Sequence, residues 1–399
     1  MNDLLKSIPS VNKLLNNNEI KEFPLLENTK VEIINDTIEQ IRLGIFENKI
    51  SVLTEDDTVK KVLDSMFNYN NHLSRVINGT GTIVHTNLGR SVLPTEVIQN
   101  IVNANMGYSN LEFDLNLGQR GQRDEFISQQ VAELVGAEAA CVVNNNAAAV
   151  FITLNTLFKN KKVIVSRGEL VEIGGSFRIP EIMKASGAKL VEVGATNRTH
   201  FSDYENAIQE DEKILGLLKV HASNYKIEGF TSSVSINELA KLKNEKMILV
   251  EDQGSGSFIN LAKYNASVQP ENTVSDSIKQ GVDLILFSCD KLLGGIQAGI
   301  IAGRADLIKK IKKNQLFRTF RVNKLVLSGL ETLLNIYKDE SRAIKTIPTL
   351  RMISEKPSEV EKRVDKFLSN ISQSVLQFKK VKTEATIGGG SMPQTKLES

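Results

Sequence analysis

The chain has 399 residues, 41% of them hydrophobic and 24% charged, with a formal net charge of +2. Such a composition fits a soluble globular protein of at least two domains. It lacks the roughly 20-residue apolar run of a membrane span, and its charge leaves no global footprint for nucleic acid. Two cysteines, Cys141 and Cys289, supply no disulfide framework, and four histidines without ligand spacing make a metal site unexpected.

The first residues carry no signal-peptide stretch, so the expected compartment is the cytoplasm. Residues 1–72 read as a separate helical module. Ile34, Ile38, Ile41 and Ile45 recur at helical spacing on one face, and Asp57 or Thr58 is placed to cap a second helix running through Met66. Asparagine clusters at 16–18 and 68–71 read as turns or linkers. A packing or dimerisation appendage and a nucleic-acid-binding module both fit this composition.

Residues 73–330 change character. Apolar β-rich runs at 139–143, 162–165, 189–193, 215–220, 247–250 and 284–287 alternate with helical stretches, which predicts a mostly parallel sheet covered on both faces. Ligands of such sheets lie beyond the carboxyl ends of the strands, so the residues there carry the functional reading. The run ending at Val143 passes into Asn144-Asn145-Asn146-Ala147, where small residues open a helix and backbone N–H groups of Asn145, Asn146 and Ala147 could cradle a phosphate. An asparagine-capped helix without ligand accounts for the same string. Asn224, beyond the strand through Val220, is placed to donate to a cofactor's phenolic oxygen. Asp252 ends the next strand before a glycine turn, as does the carboxylate that keeps a pyridine nitrogen protonated. A magnesium-binding aspartate is the competing idea, but no P-loop motif accompanies it.

The last strand breaks at Ser288-Cys289-Asp290-Lys291-Leu292-Leu293-Gly294-Gly295. A lysine among apolar residues loses hydration of its charged form, and its free amine can form a Schiff base with an aldehyde cofactor. Pyridoxal 5'-phosphate is the obvious candidate, and Ser288 could add a hydroxyl to its phosphate; a lysine after a strand that is simply solvated accounts for the same string. Arg90, Arg318 and Arg321 are candidates to hold a substrate phosphate, the last two sharing a face if 317–321 is helical; surface ion pairing is the simpler fate of such residues. Residues 331–399 read as a small, lysine-rich helical domain punctuated by Pro348 and Pro357, ending in a loop-like tail from Gly388.

With these residues in view, the chain resembles the bacterial selenocysteine synthases, or L-seryl-tRNA(Sec) selenium transferases. The resemblance rests on Ile77 to Arg90, Gly118-Gln119-Arg120-Gly121, Gly194 to Thr199, Glu251-Asp252-Gln253-Gly254-Ser255-Gly256, the lysine segment, and Arg318-Thr319-Phe320-Arg321. It implies a fold-type-I PLP-dependent transferase, an N-terminal domain that helps hold tRNA, and a homo-oligomer built from dimers into a ring-shaped decamer. Lys291 would bear the cofactor, Asp252 would pair with its ring nitrogen, Asp290 would sit beside the reacting centre, and the three arginines would bind the phosphate of selenophosphate. The implied reaction removes water from seryl-tRNA(Sec) to give an aminoacrylyl group and adds selenium to it. The resemblance also implies a longer C-terminus, which leaves open whether the small domain is whole. Two other readings remain: a PLP-dependent lyase acting on a small phosphorylated amino acid or sugar acid, and a non-catalytic tRNA-binding or assembly protein.

Overall fold

The computed structural model describes residues 2–70, 73–173, 177–221, 225, 227–370, 378–388, 390–392 and 395–399. Contacts divide the chain into two compact units, Met1–Ile77 and Asn78–Ser399.

In the first unit the isoleucine spacing does what it predicts. Helix α1, Glu27–Phe46, buries Ile34, Ile38, Ile41 and Ile45, and α2, Glu55–Asn70, buries Val62 and Met66. The cap of α2 differs from expectation. Thr54 is the capping residue: its hydroxyl accepts from the Asp57 N–H (3.1 Å), while the Asp57 carboxylate accepts from the Thr54 N–H (2.9 Å). Asp57 is thus the reciprocal partner at the third helical position, a role that also suits a short acid in the first turn. Residues 68–70 continue the helix instead of turning. At 16–18 the turn is real, Asn16 closing one short helix and Asn17 capping the next.

The second unit is built on a seven-stranded sheet. Its strands are β1 Ala139–Val143, β2 Lys162–Ser166, β3 Lys189–Val193, β4 Ile214–Val220, β5 Ile248–Gly254, β6 Leu284–Ser288 and β7 Gly299–Gly303. Their order across the sheet is β1-β7-β6-β5-β4-β2-β3, parallel throughout except that β7 runs antiparallel to both neighbours. All six strands read from the sequence are present. The seventh, Gly-Ile-Ile-Ala-Gly, was not read because it is bounded by glycines and too short to stand out. Period-two alternation sends Ala140, Val142, Ile285 and Phe287 into one apolar cluster, and Cys141, Val143, Leu284 and Leu286 into another on the opposite face. Both faces are covered, so the strands read as near-continuous apolar runs.

Helix α3, Asn146–Phe158, starts directly after β1, and α4, Lys324–Tyr337, spans the expected division at residue 330. Pro348 and Pro357 each open a helix, at Pro348–Ser354 and Pro357–Asn370, where a missing N–H costs nothing. The C-terminal tail is not loop-like. Strands β8, Glu384–Thr386, and β9, Lys396–Glu398, pair antiparallel, and the first is stitched to the segment leading to Arg90: Ile83 N–H donates to the Thr386 carbonyl (2.9 Å) and Val84 N–H to the Ile387 carbonyl (2.8 Å).

Candidate active site

Parallel β4, β5 and β6 end together, so their last residues share one edge. In register, Leu286 of β6 faces Asp252 of β5, and Asp252 faces Val220 of β4. Lys291 leaves β6 three residues past its end in a tight turn, and only 8% of it is exposed. Burial lowers the pKa of its ammonium, against the opposing pull of Asp252 and Asp290. An amine poised to shed its proton results.

Asp252 is 3% exposed. Its carboxylate accepts from the Asn146 amide (2.7 Å), and burial raises its pKa while that bond and the Lys291 charge hold it back. Asn145 caps α3, its side chain accepting from the Ala148 N–H at 2.9 Å. The cap expected without a ligand is therefore present, and it also orients the N–H groups of the first turn at Asn145, Asn146 and Ala147. Gly299 keeps this turn close to the sheet: a Cβ there would lie 2.2 Å from the Asn145 carbonyl oxygen. Ser288 is buried at the end of β6, opposite Gly299. Asn224 lies outside the described residues.

A pyridoxal phosphate group fits these side chains. Asp252 is a buried carboxylate for which a cationic ring nitrogen would supply the counter-charge, Lys291 is a buried amine for the aldehyde carbon, and the Asn146 Oδ1 is buried without a partner among the described residues. The α3 N-terminus offers N–H groups to the phosphate.

The three arginines divide. Arg90, at φ +63° behind Gly89 at φ +85°, closes a loop in which the Leu88 and Arg90 N–H groups both donate to the His85 carbonyl (3.1 and 3.0 Å). Its guanidinium pairs with Asp290, and Ser91 Oγ donates to the Lys291 carbonyl (3.3 Å), so this loop is fastened to the lysine turn. The expected helical face of Arg318 and Arg321 is a correction: the 3-10 turn Gln315–Arg318 ends at Arg318, and Arg321 lies beyond it. Arg318 is exposed, with no ion pair or hydrogen bond among the described residues. Arg321 reaches Glu112 (3.4 Å). The segment still belongs to the site's rim, because Asn144 at the end of β1 donates its backbone N–H to the Phe320 carbonyl (3.0 Å) and its amide to the Phe320 and Arg321 carbonyls (3.2 Å each).

His221, which no motif singles out, lies beside Asp252. Its N–H donates to the Asp252 carbonyl (2.9 Å), and its ring lies 3.5 Å from the Glu271 carboxylate. Burial works to lower its pKa, yet the Glu271 contact and the charge of Glu251 together outweigh it and the net direction is up. Its place directly after a strand was the available signal. Both cysteines are packing residues, buried with thiol pKa values pushed up.

Residues 76–399 match the family described as L-seryl-tRNA selenium transferase. A protein of Clostridium perfringens named L-seryl-tRNA(Sec) selenium transferase is 47% identical over 405 residues, covering 100% of this chain and 86% of its own length. One of the same name from Clostridium botulinum is 45% identical over 401 residues, covering 99% and 86%. Among solved structures, a D-glucosaminate-6-phosphate ammonia-lyase superposes with a TM-score of 0.54 at 20% identity over 68% of this chain and 70% of its own, a likeness of fold alone.

Proposed function

The chain belongs to the L-seryl-tRNA selenium transferase family, and from that premise we propose that it converts seryl-tRNA(Sec) to selenocysteinyl-tRNA(Sec) on the edge formed by β4, β5 and β6, with selenophosphate as the selenium donor. It is an enzyme of the fold-type-I class with pyridoxal phosphate as cofactor. The observation that carries the reading is the buried Lys291 facing a buried Asp252 that Asn146 already orients.

When bound, the cofactor supplies an electron sink for a negative charge on the seryl α-carbon. Lys291 would hold its aldehyde carbon, Asp252 its ring nitrogen, and the α3 N-terminus with Ser288 its phosphate. Asn224 stands as the proposed donor to the phenolic oxygen. The Lys291 amine would take the α-proton and return a proton to the departing hydroxyl, a task its lowered pKa suits. Asp290 holds the Arg90 guanidinium next to that amine. Arg90, Arg318 and Arg321 orient the donor's phosphate and offset its charge against that of the tRNA. Residues 1–77, a unit with its own apolar core, are assigned to holding the tRNA. Self-association from dimers is supported by the exposure of Met106, Tyr108, Leu115, Leu117 and Phe126 within one 21-residue stretch. No helix among the described residues is long and apolar enough to cross a membrane, which agrees with the proposed cytoplasmic location.

The test is the cofactor's visible spectrum. Seryl-tRNA(Sec) should shift it, and free serine should not. A Lys291→Ala chain should lose the native band and turnover, and a chain lacking residues 1–77 should keep the band but ignore seryl-tRNA. A response to serine alone would transfer the activity to the small-molecule lyase reading.

A further inference from the structure

The Gly118-Gln119-Arg120-Gly121 turn acquires a role through Glu112, a residue with no motif around it. Strand pair Phe113–Asp114 and Gln119–Arg120 forms a small hairpin. The Asp114 carboxylate accepts from the Asn116 and Leu117 N–H groups (2.9 and 3.0 Å), Gly118 takes φ +63°, and the Gly121 N–H donates to the Glu112 carbonyl (3.0 Å). The hairpin thereby returns two guanidiniums to the Glu112 carboxylate: Arg123 Nε to Oε1 at 2.8 Å and Arg120 Nη2 to Oε2 at 3.1 Å. From a distant part of the chain, Arg321 Nη1 reaches the same Oε1 at 3.4 Å. Arg123 also donates to the Val322 carbonyl (3.0 Å), so the same arginine grips the backbone beside Arg321. The Arg123 hydrogen bond, against a smaller effect of burial, holds the Glu112 carboxyl below the usual range.

We propose that Glu112 is a positioning residue of the donor site, fixing the guanidinium of Arg321 by one edge so that its remaining N–H groups face the phosphate of the selenium donor. The inference rests on the reading of Arg321 as a donor-binding residue. Three positive charges around one negative leave a surplus of two, so the cluster still attracts a dianion. The backbone at Arg321 is already pinned by Asn144 and Arg123, and only the side chain is left to be ordered. An arginine held in advance loses less rotamer freedom when an anion arrives. The opposite role, a counter-charge competing with the donor, predicts the opposite sign: neutralising Glu112 would then tighten donor binding.

Full-length holoenzyme carrying Glu112→Gln keeps an acceptor for Arg123 but loses the charge and one acceptor oxygen. Its KM for selenophosphate should rise by about fivefold, the size of one partly exposed charge-assisted contact. Its kcat, its KM for seryl-tRNA and its cofactor spectrum should stay unchanged. Glu112→Asp, which keeps the charge but withdraws it, should show the same rise. Arg321→Lys separates the two claims. If it leaves the donor KM unchanged, the donor role of Arg321 fails and the inference with it. If it raises that KM while Glu112→Gln leaves it unchanged or lowers it, only the positioning role is overturned. Lower melting temperature with an unchanged donor KM in Glu112→Gln would reduce Glu112 to a structural brace.

Discussion

Adjacent residues of β5 face opposite sides of the sheet and do different work. Asp252 turns toward Asn146, while Glu251, 4% exposed, carries an Oε2 with no partner among the described residues. Burial pushes the Glu251 carboxyl up to about 7, with the nearby Ser277 hydroxyl and then the charges of His221 and Lys219 working the other way. An unfolded glutamate ionises near about 4.3. Between those two values the folded chain keeps a proton that the unfolded chain has released, so stability falls as pH rises through this window and the full penalty stands above it. Glu251→Gln removes the titration. The variant should be more stable than its parent by roughly 1–3 kcal/mol at about pH 8, with the gain vanishing near about pH 4. Thermal unfolding at the two pH values checks this, and a pH-independent difference would show that the carboxyl is ionised in the fold.

At the scale of elements, the proposed cofactor cradle is a meeting of α3 with β7. Gly299 on β7 has no side chain because the Asn145 carbonyl oxygen and carbon and the Asn146 nitrogen occupy the space, at 2.2, 2.4 and 2.8 Å from where a Cβ would sit. These are backbone atoms and cannot rotate away. Gly299→Ala should therefore push the first turn of α3 off the sheet at a cost of about 1–3 kcal/mol, as overpacking does. Cofactor titration by absorbance should show about tenfold weaker binding, since displacement of the first-turn N–H groups removes over 1 kcal/mol of contact. Retained affinity would mean that the phosphate is held elsewhere. A second junction works likewise: Gly388, at φ +75°, lies where a Cβ would come within 2.1 Å of a Thr82 methyl, which keeps β8 against the segment that ends in Arg90.

At the scale of the molecule, segment 106–126 leaves large apolar side chains in solvent, with Leu115 73% and Leu117 68% exposed. Exposed apolar surface of this kind is covered in a stable protein by association. Light scattering should report an even-numbered assembly, and Leu115→Glu with Leu117→Glu should at least halve its mass while leaving the cofactor band of the fold intact. An unchanged mass would assign the contact to another surface.

Residue type and period were enough to find six strands and the isoleucine face of α1, and to place Lys291, Asp252 and the asparagine turn at strand ends, because each is written in a short stretch: burial shows as an apolar run, and a strand end shows as the polar residue that interrupts it. The pairing of β7 between β1 and β6, the pairing of Arg90 with Asp290, and the sharing of Glu112 by Arg120, Arg123 and Arg321 were decided only in three dimensions. Those contacts join residues up to about two hundred positions apart, and no local pattern encodes which carboxylate a given guanidinium will meet once the strands have brought their ends together.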